Sequence, residues 1–175
     1  HGLFLWIGFG MYVLFYNRTL LFNKFFYLSV LISIVIVSPI LIWNIENHFI
    51  TYTFHSNRVT LDRGINFNSF FREVLGGALY NNPLNYILIV SALIGLYLNQ
   101  YSIDQPIKRL LLITSLPLVF ILIFISFFRD TLPHWSGPAF VSLILITSMV
   151  LSISSDKKNK FPIMVNASLL LTVGI

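Results

Sequence analysis

Apolar runs of near-constant length alternate with short polar segments along the whole chain. Gly2–Tyr16 is apolar and aromatic, and Asn17–Lys24 is a short loop with a positive charge at either end. Phe25–Trp43 is the clearest run, at about 19 residues, close to the ~20 needed to cross a bilayer. Pro39 predicts a bend in its last turn, because proline lacks a backbone donor and crowds the turn before it. Asn44–Ser69 is too polar to cross and too long for a simple turn. In Ser69–Tyr80 the period changes. Phe70, Phe71, Val74, Leu75, Ala78 and Leu79 recur at helical spacing, with Arg72, Glu73, Gly76 and Gly77 on the other side. That pattern predicts an amphipathic helix lying in a membrane interface. Asn81-Asn82-Pro83 breaks it, and Leu84–Tyr97 with its flanks is the next span.

After the loop Gln100–Arg109, Leu110–Phe128 is a further span with Pro117 near its middle. Thr114 and Ser115 are expected to satisfy the backbone carbonyl that Pro117 frees. Arg129–Trp135 is a polar turn, Pro138–Ile153 another span, Ser154–Lys160 a polar segment with three lysines, and Pro162–Ile175 a last, truncated span. The expected fold is all-α, a polytopic transmembrane helical bundle of about six spans. Residues 1–175 form one transmembrane region, and residues 44–82 form an extracytoplasmic loop that contains the interfacial helix.

Composition agrees. Of the 175 residues 57% are hydrophobic and 10% charged, where a soluble domain carries about 25% charged residues. With no cysteine, disulfides and thiolate metal sites are excluded. The net charge of +5 forms no basic stripe of the kind nucleic acid needs. It lies instead in loops. Those after the first, third and fifth spans hold Arg18, Lys24, Lys108, Arg109, Lys157, Lys158 and Lys160, whereas the short loop on the other side holds only Arg129. By the positive-inside rule the first set is cytoplasmic. Asn44–Asn82 and Arg129–Trp135 then share the extracytoplasmic face. The chain starts at His1 and begins and ends inside apolar runs, as expected of a piece of a larger membrane domain.

Those two outer segments collect the chemistry. His48, His55 and His134 lie there beside Glu46, Asp62, Asp130, Arg58, Arg63 and Arg129. Arginine takes phosphate bidentately, while Asn, His and Trp hydrogen-bond or stack on a sugar ring. The mixture suits an anionic, hydroxyl-rich ligand. The plainer alternative, that each is a solvated loop residue, holds for any one of them better than for the cluster. His48 and His55, seven apart, could share one side of a helix, but no third ligand stands at a recognised spacing, so no metal site is assigned. Arg129-Asp130 reads as a functional pair or as an interfacial ion pair of little worth. Trp43 and Trp135 read equally as belt residues at the headgroups.

Pro39…Trp43-Asn44…His48…Phe54…Arg58 and Leu132-Pro133-His134-Trp135-Ser136-Gly137-Pro138-Ala139-Phe140 together resemble a known family. It is that of bacterial GT-C membrane glycosyltransferases related to protein O-mannosyltransferases and to the aminoarabinose transferase of lipid A. The chain departs from it at Phe49, where relatives often carry Trp.

The resemblance implies an enzyme of the bacterial cytoplasmic (inner) membrane whose active face is extracytoplasmic. It would move a sugar from a polyprenyl-phosphate carrier to a lipid, glycan or protein acceptor, with membrane lipids as surroundings, no nucleic-acid partner and no cofactor beyond the lipid-linked donor. It carries over Asn44, His48, Arg58, His134 and Trp135 as residues lining the outer cavity. Charge adds Arg63 and Arg129 as candidates for the carrier phosphate, and position adds His55 and Asp130. The family's catalytic carboxylate belongs to an N-terminal loop not represented in this sequence, so the catalytic residue is unassigned and the piece alone is expected to be inactive. The rival reading is a secondary transporter, or another polytopic protein without transferase activity. Transporters place polar groups near the midplane, whereas here they collect at one face.

Overall fold

The computed structural model describes residues 2–51, 53, 64–155, 165–168 and 170. Most of the described residues are helical, with no strand among them. Helix α1 spans Gly2–Tyr16, followed by a 3-10 turn at Arg18–Phe22 and α2 at Lys24–Glu46. Then come α3 (Phe67–Tyr80), α4 (Pro83–Tyr97), α5 (Gln105–Ser126), a second 3-10 turn at Pro133–Ser136, and α6 (Gly137–Ser155).

Local chemistry sets the boundaries. Asparagine caps three of the helices: the side chains of Asn23, Asn66 and Asn82 accept from the backbone N–H of Phe25, Ser69 and Leu84. Each satisfies one of the donors that a helix start leaves open. Asn82 holds φ 63°, a left-handed conformation that asparagine tolerates better than most residues, and Pro83 follows at the first helical position. The chain turns there by 103° between α3 and α4.

Three helical runs are long and apolar enough to cross a membrane: α2, α5 and the run Pro133–Ser154; the bent α3–α4 pair makes a fourth if it is one span. Of the other two expected crossings, α1 has 15 residues, which at ~1.5 Å per residue falls short of ~30 Å. The last lies largely outside the described residues.

The core gathers α1, α4, α5 and α6. Ala92 and Leu96 of α4 pack with Ile103, Ile146 and Val150, and Ile89 packs with Phe140 and Leu143. Along α6 the buried positions Ala139, Leu143, Ile146 and Val150 recur every three or four residues, which puts them on one face. Small polar residues line the seam between α5 and α6, where the Thr114 and Ser142 hydroxyls meet at 3.1 Å. Such residues let helix backbones approach where lipid supplies no hydrophobic drive to associate.

The two interior prolines are handled differently. Pro39 frees the Val35 carbonyl, and the Ser38 hydroxyl donates to it at 2.8 Å, so α2 runs on to Glu46. Pro117 frees the Ile113 carbonyl. The expected remedy is not the one observed, because Thr114 donates to Leu110 and Leu111 and Ser115 to Leu111 and Leu112. An i−4 hydroxyl bond from these two residues reaches one turn too early. Gly8 of α1 faces the Ile113 carbonyl instead: a Cβ there would lie 2.7 Å from that oxygen and 2.7 Å from Thr114 Cα.

Candidate functional site

The polar surface at one end of the bundle is built by α3 and the segment 127–136. Four contacts fix them together. The Asn66 amide donates to the Phe127 carbonyl at 2.6 Å, and the Ser69 hydroxyl donates to the Arg129 carbonyl at 2.6 Å. The rings of Phe70 and Phe127 stack at 4.4 Å. Gly76 lies against the Pro133 ring, where a Cβ would come within 2.6 Å of Cγ.

Helix α3 is amphipathic, as its period predicts, but its polar stripe faces inward. Ser69, Glu73 and Gly77, four residues apart, are buried, while Phe71, Leu75 and Leu79 are exposed by 55%, 60% and 72%. In water that arrangement would be costly. Beside lipid the apolar face keeps its preferred surroundings and the small polar face makes the contact with protein.

The site residues expected from the sequence divide into three groups. Arg129, Asp130, His134 and Trp135 come together on this turn. Asp130 pairs with Arg72 of α3 at 2.7 Å, so the neighbouring Arg129 is not the ion-pair partner that adjacency suggested. Both groups are more than half exposed, which leaves the pair worth less than about 1 kcal/mol. Asp130→Ala is accordingly expected to shift unfolding by no more than that, and a double-mutant cycle with Arg72→Ala measures the coupling. The His134 ring is exposed and stands 6.1 Å from that of Tyr80. Trp135 is buried, packed with Leu118, Leu122 and Ala139. It anchors the turn in the core.

Asn44 and His48 form the second group, at the far end of α2. The Asn44 side chain donates to its own helix at the Ile40 carbonyl, 2.9 Å away. His48 is exposed, and both it and Phe49 adopt left-handed backbone, with φ 53° and 55°. Bulky residues rarely take that conformation, and where they do the position is often functional. No hydrogen bond or ring contact among the described residues links Asn44 or His48 to the α3 turn. His55, Arg58 and Arg63 make the third group and lie outside the described residues. Trp43 is half exposed, like the rest of α2, in which no residue is buried.

No group of three His, Asp or Glu side chains able to hold a metal occurs among the described residues. An apolar groove of about 240 Å³ runs between α1 and α2, lined by Leu3, Trp6, Val30, Ile34, Val37 and Leu41.

Sequence reasoning missed two residues on the α3 turn, Glu73 and Thr131. Both are buried, and Glu73 Oε2 and Thr131 Oγ1 have no hydrogen-bond partner. A signal for Glu73 was present, as a carboxylate centred in the Ser-x-x-x-Glu-x-x-x-Gly stripe of an otherwise apolar helix. For Thr131 there was none.

Compared with protein-family models, curated proteins and solved structures, the chain matches none. Its class is what the fold defines: an all-helical protein with three or four apolar helical runs of membrane-crossing length.

Proposed function

We propose that this chain is part of a membrane glycosyltransferase that moves a sugar from a polyprenyl-phosphate carrier to a lipid, glycan or protein acceptor. In this reading the bundle crosses the bacterial inner membrane about six times, and α2, α5 and the run Pro133–Ser154 are each long enough for one of those crossings. Helix α3 lies in the outer interface with Phe71, Leu75 and Leu79 toward lipid. The observation that carries the reading is the joining of α3 to the turn 127–136, which sets Arg129, Asp130 and His134 together at one end of an apolar bundle. Chemistry on a lipid-linked phosphate needs polar groups at the headgroup level and none at the midplane. The groove between α1 and α2 suits a polyprenyl tail.

The mechanism is inverting displacement. The acceptor oxygen attacks the anomeric carbon, the bond from that carbon to the phosphate oxygen breaks, and a carboxylate base takes the acceptor's proton. Arg129, with Arg58 and Arg63, steadies the charge left on the departing lipid phosphate. Groups aimed at developing charge supply a large part of such rate enhancements. Asn44 and His48 sit on a separate helix end and contact the acceptor or the sugar in this scheme.

Transfer of labelled sugar from a panel of polyprenyl-phosphate donors, in membranes holding the full-length protein, is the test. Arg129→Ala and Arg58→Ala are each expected to lower transfer by about 10²–10³-fold with expression unchanged. Full transfer in a variant removes that arginine from the phosphate. Movement of a solute across vesicles, with no transfer from any donor, would instead favour a transporter.

A further inference from the structure

Helix α2 stands apart from the bundle. None of its residues is buried, and the rings of Phe9 and Phe26, 6.3 Å apart, link it to α1. Beyond that link the two helices leave two neighbouring cavities. One is the 240 Å³ groove that reaches Leu3 and Leu41. The other, of about 170 Å³, lies nearer the α1–α2 connection and is lined by Leu5, Trp6, Phe9, Ser29 and Val30. Trp6 and Val30 line both. The Ser29 hydroxyl donates to the Phe26 carbonyl at 2.7 Å, so the second cavity asks its occupant for no hydrogen bond. A gap left empty there forfeits dispersion contacts on both walls.

Cations collect at the same end. Arg18 opens the 3-10 turn and Lys24 opens α2, while the Arg109 guanidinium of α5 lies 4.8 Å over the Tyr16 ring, at the last turn of α1. All three are exposed. Arg18 Nε donates to the Leu14 carbonyl at 2.7 Å, which fixes the guanidinium beside α1. None of the three forms an ion pair among the described residues, Asp104 of the adjoining loop included. A helix rises about 1.5 Å per residue, so Ser29 stands about 7.5 Å from Lys24 along α2. A headgroup held at the cations therefore has its hydrocarbon at the cavity.

We propose that the cavity beside Ser29 holds one acyl chain of an anionic glycerophospholipid whose headgroup rests on Arg18, Lys24 and Arg109. The inference needs only that the chain crosses a bilayer, and it stands apart from the transferase reading. Size selects the chain: a further helix is about 10 Å across with its side chains, too wide for a gap closed at one end by the 3-10 turn and by Phe9 and Phe26. Charge selects the headgroup, because basic pockets between membrane helices attract anionic lipid at about 1 kcal/mol per Lys or Arg. A preference for cations in loops on one side accounts for their sign, but not for an apolar cavity beside them.

The test uses the full-length protein in phosphatidylcholine nanodiscs doped with dibrominated phosphatidylglycerol, or with dibrominated phosphatidylcholine at the same mole fraction. Bromine quenches tryptophan only at close approach, and subtracting the signal of Trp6→Phe isolates Trp6, which lines the cavity. Trp6 is expected to be quenched more by the anionic lipid. Arg18→Gln and Arg109→Gln are each expected to lower that preference about fivefold, the equivalent of about 1 kcal/mol per cation. Ser29→Leu fills the cavity with the cations in place and is expected to remove the excess, whereas Ser29→Ala, which fills nothing, is expected to keep it. Equal quenching by the two lipids overturns the proposal, because the cations then select nothing. So does an excess that survives Ser29→Leu, which places the lipid around the protein and not in this cavity, or one that Ser29→Ala also removes. An excess unchanged in both arginine variants overturns the headgroup assignment and the proposal with it. Displacement of the brominated lipid by equimolar polyprenyl phosphate overturns it in favour of the carrier at this end.

Discussion

Gly8→Leu is expected to loosen α1 from the bundle, lowering stability by about 3 kcal/mol or more, at the top of the range for inserting bulk into a packed interface. The reason is local. A Cβ at residue 8 already falls 2.7 Å from the Ile113 carbonyl oxygen and 2.7 Å from Thr114 Cα. Both are backbone atoms of α5, and neither can rotate aside as a side-chain tip would. Even Gly8→Ala is expected to cost about 1–3 kcal/mol for overpacking. Gly10 supplies the control. It lies on the same helix with nothing within 4 Å of its Cβ position, so Gly10→Ala is expected to gain up to about 1 kcal/mol from helix propensity. Unfolding of the full-length variants by SDS titration in mixed micelles reads both. Equal losses at positions 8 and 10 would mean that α1 does not pack on α5 through Gly8.

The second large effect belongs to Trp135. Trp135 is 6% exposed and packs in one cluster with Leu118, Leu122 and Ala139, against which Phe4 of α1 also packs. Trp135→Ala is expected to destabilise by about 3 kcal/mol, the lower end for deleting a buried aromatic. The lower end applies because apolar groups leaving a membrane bundle meet lipid as well as water, so lost packing carries most of the cost. The same change frees the 3-10 turn at Pro133–Ser136 from its anchor in the core. Trp135→Phe retains most of the ring and should recover most of the stability. A Trp135→Ala protein as stable as wild type would return Trp135 to the headgroup belt.

Pattern alone gave much of the helical layout. Long apolar runs interrupted near Asn17–Lys24, Asn81-Asn82-Pro83 and Gln100–Arg109 become separate helices, because a cap asparagine, a proline and a polar loop act within a few residues. Gln105–Arg109, expected as loop, already forms the first turn of α5. The helical period of Ser69–Tyr80 likewise needs only neighbours in sequence. Other features were out of reach. Helix α2 passes through Pro39 because Ser38 relieves the freed carbonyl, a rotamer choice that pattern does not encode. Asp130 takes Arg72 rather than Arg129 because α3 folds back over the turn. That pairing joins residues 58 positions apart in sequence.

The candidate site splits along the same line. Which residue types collect in the polar segments, and the charge bias between the loops, follow from sequence, since both depend on composition and on distance from the apolar runs. Which of them meet is a tertiary outcome. Packing of α3 against 127–136 sets Arg72 on Asp130, puts Trp135 in the core, and leaves Asn44 and His48 on a separate helix end. It also buries Glu73 and Thr131 without partners. Local interactions choose helix and break within a few residues of chain. Burial and pairing between distant segments depend on how the helices dock, so only the assembled bundle decides them.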